Sequence, residues 1–173
     1  MISDKMTRAL NEQIKLEGTA SFLYLSMASW CDTQGLEGCT AFLNRQSEEE
    51  RMHMLRIFHY LSEVDQHALV PAIDQVPHAF KSVQDMFRMV YEHEQKVTAS
   101  IHRLMDIAVE EQDHTTNNFL QWYIAEQKEE ENLMRSILDK IKLIGEGPLS
   151  LYYIDKEISE INRIEEKNEE NEA

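Results

Sequence analysis

Glycine, proline and cysteine are all scarce in this chain of 173 residues, which contains 5, 3 and 2 of them respectively. Glycine and proline weaken or interrupt helices, and the good helix formers Glu, Leu, Met, Gln and Ala are plentiful instead. The length is enough for one domain with a buried core. The composition therefore predicts a single all-α domain.

Long apolar runs are also missing. No stretch approaches the roughly 18 apolar residues that a membrane-spanning helix needs, and residues 1–10 lack the apolar segment of a secretory signal. Cys31 and Cys39 form no CxxC motif, and two reduced thiols without a disulfide framework are typical of cytosolic proteins. We therefore expect a cytoplasmic protein that has no membrane segment.

Basic residues are few: 17 Lys and Arg stand against 32 Asp and Glu, which gives a net charge of −15. Such a surface repels nucleic acid and anionic lipid and attracts cations, although acidity can also serve solubility alone. Part of the excess lies in residues 165–173, an acidic run that we expect to form a disordered tail. We assign the folded domain to residues 1–164 and expect no nucleic-acid partner.

Apolar residues recur at three- and four-residue spacing in four long segments, which predict helices over residues 3–32, 40–64, 83–111 and 115–143. Short connections join the first two and the last two as antiparallel hairpins. Residues 65–82, broken by Pro71 and Pro77, are long enough to run the length of a bundle. Ser82, with Asp85 three residues later, is a candidate cap for the third helix.

A shorter fifth helix is predicted over residues 150–164. Its apolar side consists of Leu151, Ile154, Ile158 and Ile161. A helix of this length is not stable alone and needs a partner surface, either in the same subunit or around a symmetry axis of an assembly.

Polar residues interrupt each of the four predicted apolar faces near its middle. They are Glu17 in the first helix, Glu50 and His53 in the second, Glu94 in the third, and Gln127 and Glu130 in the fourth. In an antiparallel bundle these positions fall at one level. Four carboxylates in an apolar core repel each other, and each carries a desolvation cost of several kcal/mol unless protons or cations neutralise it.

Two divalent cations would supply the charge that balances four glutamates. Mostly oxygen ligands with one imidazole suit iron, manganese or zinc, and Glu50 and His53 share a helix face because residues three apart are neighbours. An isolated ExxH motif occurs often by chance. The coincidence across four helices favours a two-metal site in the middle of the bundle.

The residues also resemble those of haem-free bacterial ferritins over roughly residues 6–158. The matching stretches are LNEQIKLEGTASFLYLSMASWC, EEERMHM, NFLQWYIAEQKEEE and LYYIDKEIS. The resemblance implies a ferritin-like four-helix bundle with one long crossover and a short fifth C-terminal helix. It also implies iron storage in a hollow shell of 24 identical subunits, with oxidation of Fe(II) by O2 or H2O2 before ferric oxo-hydroxide is deposited.

The same resemblance implies roles for the central residues. The ligands of the two irons would be Glu17, Glu50, His53, Glu94 and Glu130. Among these, Glu17, Glu50 and His53 would hold the first iron, with Glu50 bridging to the second. Gln127 would lie beside the pair as a weak ligand or a hydrogen-bond partner, and Tyr24 matches the tyrosine found next to the site.

A third iron position is implied nearby, toward the inner surface of the shell. Its ligands would be Glu49, Glu126, Glu129 and Glu130. The alternative interpretation of these residues is a solvated acidic helix face.

Animal ferritins have carboxylates near the start of the fourth helix that line an iron channel, but the corresponding stretch here begins at Asn117 and has no acid. The sequence therefore leaves open the route by which iron enters.

Haem is not expected. Bacterioferritins bind it through a Met directly after the glutamate of the second helix, and Arg51 stands there in this chain. They also carry a second ExxH motif in the fourth helix, where this chain has Gln127 and Glu130. DNA-protecting mini-ferritins are a further branch, but they place iron between subunits and lack the fifth helix.

Two other functions compete with the ferritin interpretation. A rubrerythrin-like peroxidase or oxygenase usually has two ExxH motifs and often an added cysteine cluster, and the sequence contains neither. A structural helical bundle without metal chemistry would leave the central polar residues unexplained.

Overall fold

The computed structural model describes the backbone of residues 2–172 and the side chains of residues 2–167. This part of the chain forms five helices and no strand. The helices are α1 (Asp4–Thr33), α2 (Glu37–Glu63), α3 (Val83–Glu110), α4 (His114–Ile144) and α5 (Ser150–Glu172). The predicted all-α architecture is confirmed, and the first four helices agree with their predicted bounds to within three residues.

Three helices begin at side-chain caps, which accept hydrogen bonds from otherwise unpaired N–H groups of the first turn. Ser3 caps α1 by accepting from the N–H of Met6 at 3.0 Å. Ser82 accepts from Asp85 at 3.1 Å, so the cap predicted for α3 is confirmed. Asp113 caps α4 in the same way.

The start of α2 was predicted at residue 40, but the helix begins three residues earlier, at Glu37. Leu36, which precedes it, provides no side-chain cap. Instead, the carboxylate of Asp155 in α5 accepts from the N–H of Gly38 at 3.1 Å and from that of Cys39 at 2.8 Å. Sequence analysis could not place this start because the cap comes from a distant helix.

The bundle is made of two antiparallel hairpins, α1 with α2 and α3 with α4, and α1 packs against α3. Residues 64–82 form the long crossover between the hairpins. The crossover is tied to α1, since Ser26 donates to the carbonyl of Pro77 at 2.7 Å and Asn11 accepts from the N–H of Leu69 at 2.7 Å. The long connection thus lies along the bundle, as its length predicted.

Two apolar clusters fill the bundle. One contains Leu23, Phe42, Phe87 and Ile137, and the other contains Leu10, Ile57, Ile101 and Leu120. Cys31 and Cys39 are both free thiols and belong to the first cluster. The polar residues that interrupt the apolar faces come between the two clusters along each helix.

The fifth helix packs against α2 and α4 of its own subunit. Ile154 and Ile158 are buried there, whereas Leu151 is 54% exposed in the single subunit, so a partner surface for Leu151 around a symmetry axis stays a prediction. The helix also continues beyond the predicted end at residue 164, to Glu172. The side chains of residues 168–173 lie outside the described part, and the disordered tail over residues 165–173 stays a prediction.

None of the helices in the described residues is both long and apolar enough to cross a membrane.

Candidate metal centre

Six polar side chains from α1 to α4 meet in the middle of the bundle. They are Glu17, Glu50, His53, Glu94, Gln127 and Glu130. None is more than 3% exposed, although four of them are carboxyl groups. The structure therefore brings together the residues that the helical spacing placed at one level.

Several ligand atoms of this group have no hydrogen-bond partner in the described part of the chain. They are one oxygen each of Glu17, Glu50 and Glu130, and Nδ1 of His53. Buried polar atoms are nearly always paired, so four unpaired atoms in one place need an explanation. Glu17, Glu50 and His53 each present a ligand atom within 4.8 Å of the other two. This donor set of oxygens with one imidazole nitrogen fits a divalent metal ion.

The carboxylate of Glu94 is held by two neighbours on different helices. The hydroxyl of Tyr24 donates to its Oε1 atom, and the side-chain amide of Gln127 donates to its Oε2 atom at 3.1 Å. Both partners were among the residues predicted for the site. Their contacts orient Glu94 while each oxygen keeps a lone pair for a further ligand.

Sequence analysis missed three residues that contact the candidate ligands. Gln13 donates to Oε1 of Glu17 at 2.9 Å, and the hydroxyl of Tyr123 donates to the backbone carbonyl of His53 at 2.7 Å. The ring of Trp122 packs edge-on against His53, with centroids 5.3 Å apart. Gln13 lies four residues before Glu17, so the rule that such residues share a helix face could have found it.

Burial controls the protonation of the group. It raises the pKa of Glu17 from 4.5 to about 7. It also raises the pKa of Glu50, Glu94 and Glu130, and repulsion from neighbouring carboxyl groups adds to the effect. Burial, followed by the charge of Arg56, lowers the pKa of His53 to about 4. The imidazole is therefore neutral at pH 7, as metal binding requires, and cations would displace protons from the carboxyl groups.

A groove of about 410 Å³ lies next to these residues, between α2 and α4. We call it the acidic groove; the residues that line it are Arg45, Gln46, Glu49, Glu126, Glu129, Glu130, Asn132, Leu133 and Glu165. All four residues predicted for a third iron position are among them. Glu129 is exposed, whereas Glu49 and Glu126 are half-buried.

Glu49 and Glu126 present ligand atoms within 4.8 Å of each other and of His53. The Nε2 atom of His53 is 3.9 Å from Oε1 of Glu126. Sequence analysis had assigned His53 to the central group alone. Its imidazole lies between the central group and the acidic groove, with one nitrogen facing each.

The known proteins to which this chain is similar are ferritins and ferritin-like proteins. A family model described as the ferritin-like domain matches residues 7–144. A bacterial non-heme ferritin of Campylobacter jejuni is 46% identical over 161 residues, which cover 93% of this chain and 96% of that protein. A probable bacterial non-heme ferritin-like protein of Haemophilus influenzae is 42% identical and covers 94% and 98%.

Solved structures give the same result for the fold. The open pore ferritin of the archaeon Archaeoglobus fulgidus superimposes on this chain with a TM-score of 0.88 and 44% sequence identity. The match covers 91% of this chain and 96% of the archaeal one.

Proposed function

This chain belongs to the ferritin family, and on that premise we propose that it stores iron after oxidising Fe(II) at a two-iron centre within each subunit. The oxidant is O2 or H2O2. The product, ferric oxo-hydroxide, collects inside a hollow shell of 24 copies of the chain. We place this activity in the cytoplasm and include no haem, since Arg51 takes the position of the haem-binding Met of bacterioferritins.

One observation carries the proposal: buried carboxyl oxygens and an imidazole nitrogen converge without hydrogen-bond partners among residues 2–167. Burial and mutual repulsion favour the protonated form of these carboxyl groups in the metal-free protein, as their raised pKa values indicate, and bound cations would take the place of those protons. Two Fe(II) ions bring a charge of +4 against four carboxylates. The charge of the substrate therefore matches the charge that the bundle buries.

The contacts suggest how the ligands divide between the two ions. Glu17, Glu50 and His53 hold the first Fe(II), because their ligand atoms already lie together. Glu94 and Glu130 complete the second, with Glu50 shared between the two ions. This division leaves the only imidazole on the first ion, so the two positions differ in affinity.

The remaining polar side chains orient the ligands. Tyr24 and Gln127 hold Glu94, and Gln127 is near enough to act as a weak ligand itself. The two Fe(II) ions together would give two electrons to the oxidant, which leaves as H2O2 when it is O2 and as two water molecules when it is H2O2, and water that hydrolyses the Fe(III) product would release protons. The Fe(III) product then leaves toward the shell interior, and a third iron binds at Glu49, Glu126, Glu129 and Glu130.

Assembly into a shell would cover apolar side chains that a single subunit exposes. Near the end of α4 and the start of α5, the exposed apolar residues are Leu143, Leu149, Leu151, Tyr152 and Tyr153. A patch of this kind is typical of a contact surface between proteins. Sedimentation of the purified protein as a particle of 24 subunits would support this part of the proposal.

Stopped-flow absorbance after mixing with Fe(II) in air tests the proposed centre. His53→Ala removes the imidazole from the first position, and Glu130→Ala removes a carboxylate from the second; we expect each to slow the initial burst of Fe(III) formation by at least about tenfold. Glu110→Ala, which changes an exposed carboxylate paired with Lys5, serves as the matched control. Bursts like that of the wild type in both site variants would refute the proposal.

A further inference from the structure

The acidic groove contains a cation of the protein itself. Arg45 of α2 lines the groove, and its NH1 atom lies 3.2 Å from Oε2 of Glu49. The two side chains are only 13% and 17% exposed, so solvent screens this ion pair less than a surface one. Glu49 is also one of the carboxylates that would bind a third iron. Arginine and metal ion therefore compete for the same oxygen atoms.

The guanidinium group is held from outside the groove by α5. The Nε atom of Arg45 donates to Oδ1 of Asn162 at 2.8 Å, and Asn162 is buried. Asn162 in turn donates to Glu166 at 2.8 Å. Because the guanidinium is planar and presents its donors in fixed directions, the bond to Asn162 also aims NH1 at Glu49.

A second observation indicates that the groove is built for a ligand and is not only a solvated acidic surface. The amide of Gln46 donates to Oε2 of Glu49 at 2.7 Å, which turns its Oε1 atom away from that carboxylate. Gln46 is 1% exposed, and its Oε1 has no hydrogen-bond partner in the described residues. Oε2 of Glu130, also on the groove wall and 3% exposed, is unpaired as well. Two buried oxygen acceptors without donors suit a metal cation.

We propose that Arg45 is a built-in counter-ion of the acidic groove, positioned by Asn162, and that it sets the affinity of the third metal position. A third cation binds when the guanidinium moves off Glu49, and the Gln46 amide then turns so that its carbonyl oxygen, and not its N–H, faces the cation. This inference rests on the proposed function, because it concerns the position next to the two-iron centre.

The consequence is that the third position fills last. The ligands of the two-iron centre have no positive side chain in hydrogen-bonding contact among the described residues. A cation at the third position, in contrast, must displace the guanidinium of Arg45. Arg45 also lowers the pKa of Glu130, in opposition to burial and to repulsion from Glu49, so its charge acts on both positions. The C-terminal helix thereby influences metal binding although it provides none of the ligands proposed for the two-iron centre.

Crystals of the assembled protein soaked in graded concentrations of Zn²⁺ test this directly. Anomalous scattering gives the occupancy of the buried pair and of the groove position separately. Arg45→Gln removes the positive charge, and we expect half-occupancy of the groove position at a Zn²⁺ concentration about tenfold lower than in the wild type. Asn162→Leu leaves the arginine but removes its anchor, and a smaller shift in the same direction is expected.

Arg163→Gln is the matched control, since Arg163 pairs with Glu160 on the exposed side of the same helix. Its groove occupancy should equal that of the wild type. Unchanged or weaker Zn²⁺ occupancy of the groove position in both Arg45→Gln and Asn162→Leu would overturn the inference. Arg45 would then serve only to connect α2 with α5. An absence of Zn²⁺ at the buried pair would instead refute the two-metal centre, so the two failures are distinguishable.

Discussion

The carboxylate of Asp155 accepts a hydrogen bond of 2.8 Å from the backbone N–H of Cys39, so the fifth helix caps the second. The cap requires a close approach: a Cβ atom on Gly38 would lie 2.2 Å from the backbone oxygen of Asp155. Glycine is therefore needed where α5 crosses the first turn of α2. This contact fixes the position of α5 on the bundle and places Asn162, two turns further along α5, next to Arg45.

Removing this cap should destabilise the protein. We expect Asp155→Ala to lower the free energy of unfolding by about 1–2 kcal/mol, because two N–H groups at the start of α2 lose their acceptor. Asp155→Asn should retain much of the stability, since asparagine is also a good cap. Urea unfolding followed by circular dichroism measures the effect. Asp74→Ala, at a highly exposed position, is the control, and an equal loss there would contradict the role of the cap.

The stability of the metal-free protein should fall as pH rises. The folded protein holds a proton on Glu17 up to a pKa of about 7, whereas the unfolded chain loses it near 4.5. This carboxyl group alone accounts for a loss on the order of 3 kcal/mol between those values. His53 and His93, with pKa values lowered to about 4, act in the opposite direction only below pH 6.5. Above pH 6.5 the carboxyl groups therefore decide the trend.

Thermal unfolding of chelator-treated protein from pH 6.5 to 8 tests this expectation. The melting temperature should decrease over that range, and saturating Zn²⁺ should abolish the decrease because the ion replaces the protons. Glu17→Gln should show a shallower dependence. A metal-free protein that is more stable at pH 8 than at pH 6.5 would contradict the assignment of buried, protonated carboxyl groups.

Gln13 should tune the first metal position without touching the metal. Its amide hydrogen bond favours the charged form of Glu17, so we expect Gln13→Leu to weaken binding of the first Zn²⁺ by about tenfold, the size of one charge-assisted hydrogen bond. The pH at which binding is half-complete should also rise. Calorimetric titration at several pH values separates this effect from a loss of folding. Gln121→Leu, on the exposed side of α4, should bind as the wild type does.

Tyr24 should affect the second position more than the first. Tyr24→Phe keeps the ring but removes the hydroxyl donor to Glu94, which keeps the hydrogen bond from Gln127. We expect a several-fold slower burst of Fe(III) formation, with the affinity for the first Zn²⁺ unchanged. Stopped-flow and equilibrium titration on the same preparation provide both readouts. Tyr152→Phe, at an exposed position, is the control. If Tyr24→Phe affected both metal positions equally, that result would argue against a role of Tyr24 at the second position.

Much of the fold could be predicted because helices impose a regular spacing on the chain. Positions three or four apart share a face, so the apolar residues around Glu17, Glu50 and Glu94 were sufficient to indicate that carboxyl groups enter the core. The scarcity of glycine and proline made the helices long, and the 64–82 connection determined how the hairpins relate. Residues within one helix that support each other, such as Gln13 and Glu17, were accessible by the same rule.

Contacts between distant parts of the chain could not be predicted in this way. The start of α2 depends on Asp155, more than a hundred residues later. The position of His53 between the central group and Glu126 depends on how α2 and α4 are rotated against each other. The spacing of residues within a single helix does not predict how two helices are rotated against each other.

The sequence by itself determined which residues form helices and which polar side chains share a level inside them, because both follow from the repeat of a single helix. Only the tertiary structure decided that Arg45 reaches Asn162 and that Asp155 closes the first turn of α2. Those pairings depend on the packing of whole helices, where many weak apolar contacts set the distance and angle at which a few polar groups meet.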